Sequence, residues 1–139
     1  MSEPTKPDPA APGLPGPVSL RVVTGPLAAP VLNRVASMVL ARAACPLDRL
    51  EDALILCDAV SAHAPPYVRD SHIDYTLTTN VGELELRVAE LRTGGARKLI
   101  ADARLPDVGN VIERYSVERR VEPATDRDGE ELVLRIGFA

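Results

Sequence analysis

Hydrophobic positions recur along this chain at two different periods. Between residues 28 and 64 they return every three to four positions, the spacing of one helix face. Val31, Val35, Met38, Val39 and Arg42 follow it, with Leu32 and Leu40 widening the stripe, and predict a helix over Ala28–Ala43. Pro26 and Pro30 suit only its lead-in or first turn, because a proline further in would remove a helix hydrogen bond. Pro46 opens a second helix that runs to about Ala64 and is stopped by Pro65-Pro66. Leu47, Leu50, Leu54, Cys57 and Ser61 form its stripe, with Ala53, Leu56 and Val60 beside it. Asp48, Glu51 and Asp52 fall in its first two turns, where negative charge suits the helix dipole.

Elsewhere the period is two. Ser19–Thr24 is a short β-prone run closed by Gly25-Pro26. Ile73, Tyr75 and Leu77 alternate with polar residues, as do Leu84, Leu86 and Val88, and Asn80-Val81-Gly82 lies between. This predicts an antiparallel hairpin with one buried face. Short helical patterns follow at Ala96–Ala103 and at Asn110–Tyr115, the latter with Val111, Ile112 and Tyr115 inward. Breaks at Thr93-Gly94-Gly95 and Leu105–Gly109 flank the first of them. Val117–Glu122 and the alternating run Leu132–Phe138 close the chain as strands around an Asp126-Arg127-Asp128-Gly129 turn. The order β-α-α-β-β-α-α-β-β predicts an α+β two-layer sandwich, a mostly antiparallel mixed sheet with helices on one face.

Composition narrows the choice. A length of 139 residues suits one domain, expected over residues 18–139. Residues 1–17 carry six prolines and little apolar bulk, and are expected to form a disordered, proline-rich tail. That segment has neither the basic start nor the apolar centre of a secretion signal, and no apolar run approaches the roughly 20 residues that span a bilayer. The expectation is a cytoplasmic protein without membrane contact. A net charge of -4 argues against nucleic-acid or anionic-membrane partners, which need a positive field. Aromatic residues are limited to Tyr67, Tyr75, Tyr115 and Phe138, too few for a base-stacking platform. Cys45 and Cys57 read as small buried thiols, and two histidines without a CxxC motif build no metal site. P-loop, Rossmann and G-x-S-x-G patterns are absent.

Three segments bear on chemistry: Leu56–Ala64 late in the second helix, Glu90-Leu91-Arg92-Thr93-Gly94 after the hairpin, and Gly109-Asn110-Val111-Ile112. With the element order, they make residues Ser19 to Phe138 resemble the GHKL ATPase superfamily, in particular its branch of small anti-sigma-factor serine kinases. The resemblance implies a histidine-kinase-type ATPase fold. It implies ATP and magnesium as the cofactors of intact members, a sigma factor or an anti-anti-sigma protein as partner, and a homodimer.

In such kinases an E-x-x-x-N pattern supplies a base and a magnesium ligand from one helix face, since residues four apart lie together. Asp58 takes the Glu position and is the implied catalytic residue. Ala62 takes the Asn position and has no ligand atom, whereas magnesium wants several oxygens. Ser61 and His63 point about 100° to either side of it. In the next motif, D-x-G-x-G, Glu90 replaces the Asp that accepts a hydrogen bond from adenine, Arg92 replaces a glycine, and Gly94 is kept. Of the lid motif G-x-G-L, Gly109 remains. Glu90, Gly94 and Gly109 are thus the implied cofactor-binding residues, with no metal ligand assigned.

Each residue has a plainer reading as well. Asp58 reads as a solvated carboxylate at a stripe edge, and Glu90 as a surface residue at a strand end. Gly94, Gly95 and Gly109 read as turn glycines. His63 suits a helix C-terminus and His72 a strand start. Arg114, Arg119 and Arg120, near Glu113 and Glu118, read as a solvated charged face. Two functions follow: a regulatory domain of anti-sigma type that acts by protein contact with a degenerate ATP site, or an active serine/threonine kinase. Damage to all three motifs favours the first.

Overall fold

Alternation decides the sheet, and four helical segments cover one side of it. The computed structural model describes residues 16–125 and 127–138; the expected tail lies, through residue 15, outside them. In chain order the elements are β1 (Val18–Val23), α1 (Ala28–Arg42), α2 (Leu47–His63), β2 (His72–Asn80), β3 (Glu83–Leu91), α3 (Gly95–Asp102), β4 (Arg104–Leu105), β5 (Gly109–Asn110), α4 (Val111–Tyr115), β6 (Glu118–Pro123) and β7 (Glu130–Gly137). A 3-10 turn, Pro65–Tyr67, follows α2. No helix among the described residues is long and apolar enough to cross a membrane.

The five main strands order as β1-β2-β3-β7-β6, and each of the four pairings is antiparallel. The fold is therefore α+β with an antiparallel sheet, and the parallel component of a mixed sheet is absent among the described strands. Register places apolar residues of neighbouring strands opposite one another: Leu20 against Tyr75, Leu77 against Leu86, and Leu86 against Leu134. These side chains, with Ile73, Leu84, Val88, Leu132 and Ile136, form the helix-side face and join one core with α1–α4. The polar positions of the same strands make the other face. There Arg87 donates to Glu122 at 2.7 Å and to Glu131 at 2.8 Å, and Arg21 pairs with Asp74 at 2.7 Å. Val133, opposite Arg87 and Arg120, is buried on this face.

The helices are turned relative to the stripes expected from sequence. On α1 the buried residues are Ala28, Leu32, Ala36, Val39 and Leu40, whereas Val31 and Met38 are 41% and 45% exposed. Alanines weigh little in a hydrophobic stripe, yet Ala28 and Ala36 lie on the buried side of the helix. On α2 the buried set is Ala53, Leu56, Cys57, Ala59, Val60 and Ser61, while Leu47 is exposed. Cys57 is buried as expected, but Cys45 is only half-buried. Burial pushes the Cys57 thiol up to about 12. Tyr75 is buried beneath α2 with its hydroxyl 3.1 Å from Ser61 Oγ.

Candidate functional site

Asp58, Ala62 and His63 emerge together on the exposed side of the last turns of α2, because residues four apart share a face. The segment after α3 comes to meet them. Leu105 pairs with Gly109 in the two-stranded β4–β5 ladder, which the sequence reading treats as a simple break. The ladder leads into α4, whose first residue Val111 donates its backbone N–H to Ala103 at 2.8 Å. Asn110 locks this corner from both sides. Its Nδ2 donates to Ile100 O at 2.6 Å, and its Oδ1 accepts from the Glu113 N–H at 3.0 Å as the cap of α4.

Between α2 and this corner lies a pocket of about 300 Å³ lined by Ile55, Asp58, Ala59, Ala62, His63, Ala103, Leu105 and Val111. Its walls are aliphatic apart from one carboxylate and one imidazole. Asp58 Oδ1 accepts from Asn33 Nδ2 at 2.6 Å, a bond from α1 to α2. Among the described residues, no ion pair involves Asp58.

Glu90 is placed elsewhere. Strict alternation after Leu84, Leu86 and Val88 would bring residue 90 to the helix side. Instead β3 bulges between Val88 and Leu91, and Glu90 takes φ +73°. Leu91 is fully buried in step with the core positions. The Glu90 carboxylate pairs with Arg127 at 3.1 Å and lines a separate hollow of about 80 Å³ with Arg69, Thr125 and Glu130. Among the described residues, Asp58 and Glu90 thus line two different hollows.

Gly94 and Gly109 have φ +85° and +84°, conformations that favour glycine, and a Cβ at either would meet nothing within 4 Å. Gly94 precedes the first turn of α3, where the Ala96 N–H donates to Glu130 Oε2 at 2.8 Å. Gly95 answers to packing: a Cβ there would lie 3.0 Å from Tyr67 Cβ. Asn33 is the site residue the sequence reading misses. Its one signal is an amide among apolar neighbours on the first helix, and nothing in its own segment points to Asp58.

The side chains of the pocket do not fit magnesium-ATP. A triphosphate is held by ammonium, guanidinium or backbone N–H groups, and the lining side chains include no ammonium or guanidinium. Ala62 offers no oxygen to a cation, and among the described residues no group of three or more His, Cys, Asp or Glu could hold a metal ion. Comparison with known proteins finds no family model that matches the chain, and no curated protein that matches it.

Proposed function

We propose that this chain is a regulatory domain of the anti-sigma type, resembling the GHKL ATPases, that acts by protein contact and no longer uses nucleotide. The partner the resemblance implies is a sigma factor or an anti-anti-sigma protein. The observation that carries the reading is the lining of the pocket beside Asp58: aliphatic walls, a carboxylate and an imidazole, with no lysine or arginine for phosphate. A carboxylate facing a polyphosphate without an intervening metal is repulsive, and the metal ligand expected four residues on is a methyl group. The ion pair of Glu90 with Arg127 agrees, because the residue of the implied adenine contact is engaged in a hollow other than the one Asp58 lines.

The second reading, an active serine/threonine kinase, is favoured by one observation: Asp58 retains a carboxylate at the pocket. A thermal-shift titration with ATP and ADP, with and without magnesium, separates the two. A single-site ligand at 100 times its Kd stabilises by about 2.7 kcal/mol. The regulatory reading expects no shift at millimolar nucleotide. A magnesium-dependent shift that disappears in Asp58→Ala overturns it in favour of the kinase.

A further inference from the structure

We infer that the pocket between α2 and the β4–β5 corner receives an arginine or lysine side chain of the partner protein. The inference rests on the protein-contact reading above and names what occupies its site. Two features of the pocket have to be met at once. The walls, chiefly Ile55, Ala59, Leu105 and Val111, are aliphatic, and Ile55 and Leu105 remain 37% and 43% exposed at its mouth. An apolar group seated there covers surface that water now meets. The second feature is the carboxylate of Asp58. Asp58 Oδ1 accepts from Asn33 Nδ2, while Oδ2 has no partner among the described residues.

A purely aliphatic occupant would desolvate that carboxylate without compensation. An anionic occupant would be repelled by it. A chain of methylenes ending in a cation satisfies both features, with the stem along the wall and the head on the free oxygen. That is the chemistry of lysine and arginine, and a volume of about 300 Å³ leaves room for such a side chain with part of its neighbour. His63 is the other titratable residue of the lining, and its imidazole adds a hydrogen-bonding group beside the carboxylate.

The test is an NMR titration of the isotopically labelled full chain with side-chain mimics. n-Butylguanidinium and n-hexylammonium are expected to shift the amide signals of Ile55, Ala59, Leu105 and Val111 at millimolar concentration. n-Hexanol is expected to bind several-fold more weakly, and n-hexanoate to leave these signals unmoved. Asp58→Asn should weaken both cations at least about fivefold and leave n-hexanol unchanged. Ala62→Leu, at an exposed helical position, should block every probe by filling the pocket, which guards against a folding defect in the first variant. A blocked Leu-Arg-Leu peptide should bind at least as well as n-butylguanidinium. The proposal is overturned if no cation binds, if n-hexanol or n-hexanoate matches the cations, or if Asp58→Asn leaves cation affinity intact. Rejection of the peptide with retention of the free cation overturns a protein side chain as the occupant. Cation failure with magnesium-ATP also silent removes this inference alone, whereas magnesium-ATP shifting the same signals removes the protein-contact reading with it.

Discussion

Asn33 on α1 donates its side-chain N–H to Asp58 on α2 at 2.6 Å, so the carboxylate at the pocket is held from the neighbouring helix. Asn33 Oδ1 is buried without a partner, which makes this bond the amide's one side-chain hydrogen bond among the described residues. Asn33→Ala therefore removes a charge-assisted bond together with a desolvated acceptor, two effects of opposite sign. The expected net loss is about 0.5–1 kcal/mol in urea denaturation. A double-mutant cycle with Asp58→Ala should return a coupling of about 0.5–1.5 kcal/mol, and a coupling of zero would show that the bond is not made in solution.

Ser61 and Tyr75 join α2 to the sheet inside the core. Ser61→Ala and Tyr75→Phe each leave one buried hydroxyl unpartnered, and each should cost about 1–2 kcal/mol. The double variant should cost less than the sum, because neither hydroxyl then remains to be satisfied.

The same burial predicts loss of stability in alkali. Tyr75 is pushed up to about 12 mainly by burial, and Cys57 likewise, against ordinary values of 10.0 and 9.0. Both groups keep their protons in the folded state while the unfolded chain releases them. Stability is thus unaffected by these groups below pH 9 and falls as pH rises towards 12, by up to about 1.4 kcal/mol per pH unit for each group. Denaturation midpoints across this range check the sign. Absorbance titration should show one tyrosine ionising last, and Tyr75→Phe should abolish that late step.

On the open face of the sheet, Arg87 and Arg120 hold the Glu122 carboxyl below the ordinary carboxylate range through hydrogen bonds, and Arg21 does the same for Asp74. A lowered folded-state pKa means stability that is present above the ordinary values and lost as pH falls through the folded ones. Acid should therefore destabilise the protein from below about pH 4.5. Arg87→Met should flatten that dependence, and added salt should reduce the difference between the two proteins, since the network is solvent-facing.

Gly129 and Gly94 offer a matched pair. Both have positive φ, but a Cβ at Gly129 would lie 2.6 Å from Leu91 O and 3.0 Å from Arg69 Cδ, whereas at Gly94 nothing is near. Gly94→Ala should cost about 1 kcal/mol from conformation alone. Gly129→Ala adds a clash with backbone and should cost clearly more in the same denaturation assay. Equal losses would mean that the β6–β7 turn gives way freely.

Much of the fold is legible in the chain because two signals are local. Alternation at Ile73–Leu77, Leu84–Val88 and Leu132–Phe138 marks the strands, and prolines 26, 46 and 65 bound the helices. What is not local was not legible. Which side of α1 is buried depends on Ala28 and Ala36, whose small size matters only against a neighbour. The β4–β5 ladder consists of two residues on each side, too short to leave a pattern. For the site, Asp58, Ala62 and His63 could be grouped from helical spacing. Asn33 could not, because its bond joins residues of different helices. Glu90 could not be placed either, because one bulge reverses the side that alternation assigns to it.

The central claim is protein contact without nucleotide, and calorimetric titration of the full chain with sigma factors and anti-anti-sigma proteins from its own genome tests it most directly. Each titration is run with and without magnesium-ATP. The account predicts that at least one of these proteins binds with the same Kd in both conditions and that no phosphate is transferred to it. Binding that requires magnesium-ATP, phosphorylation of a partner serine, or no binding to any of them would contradict it.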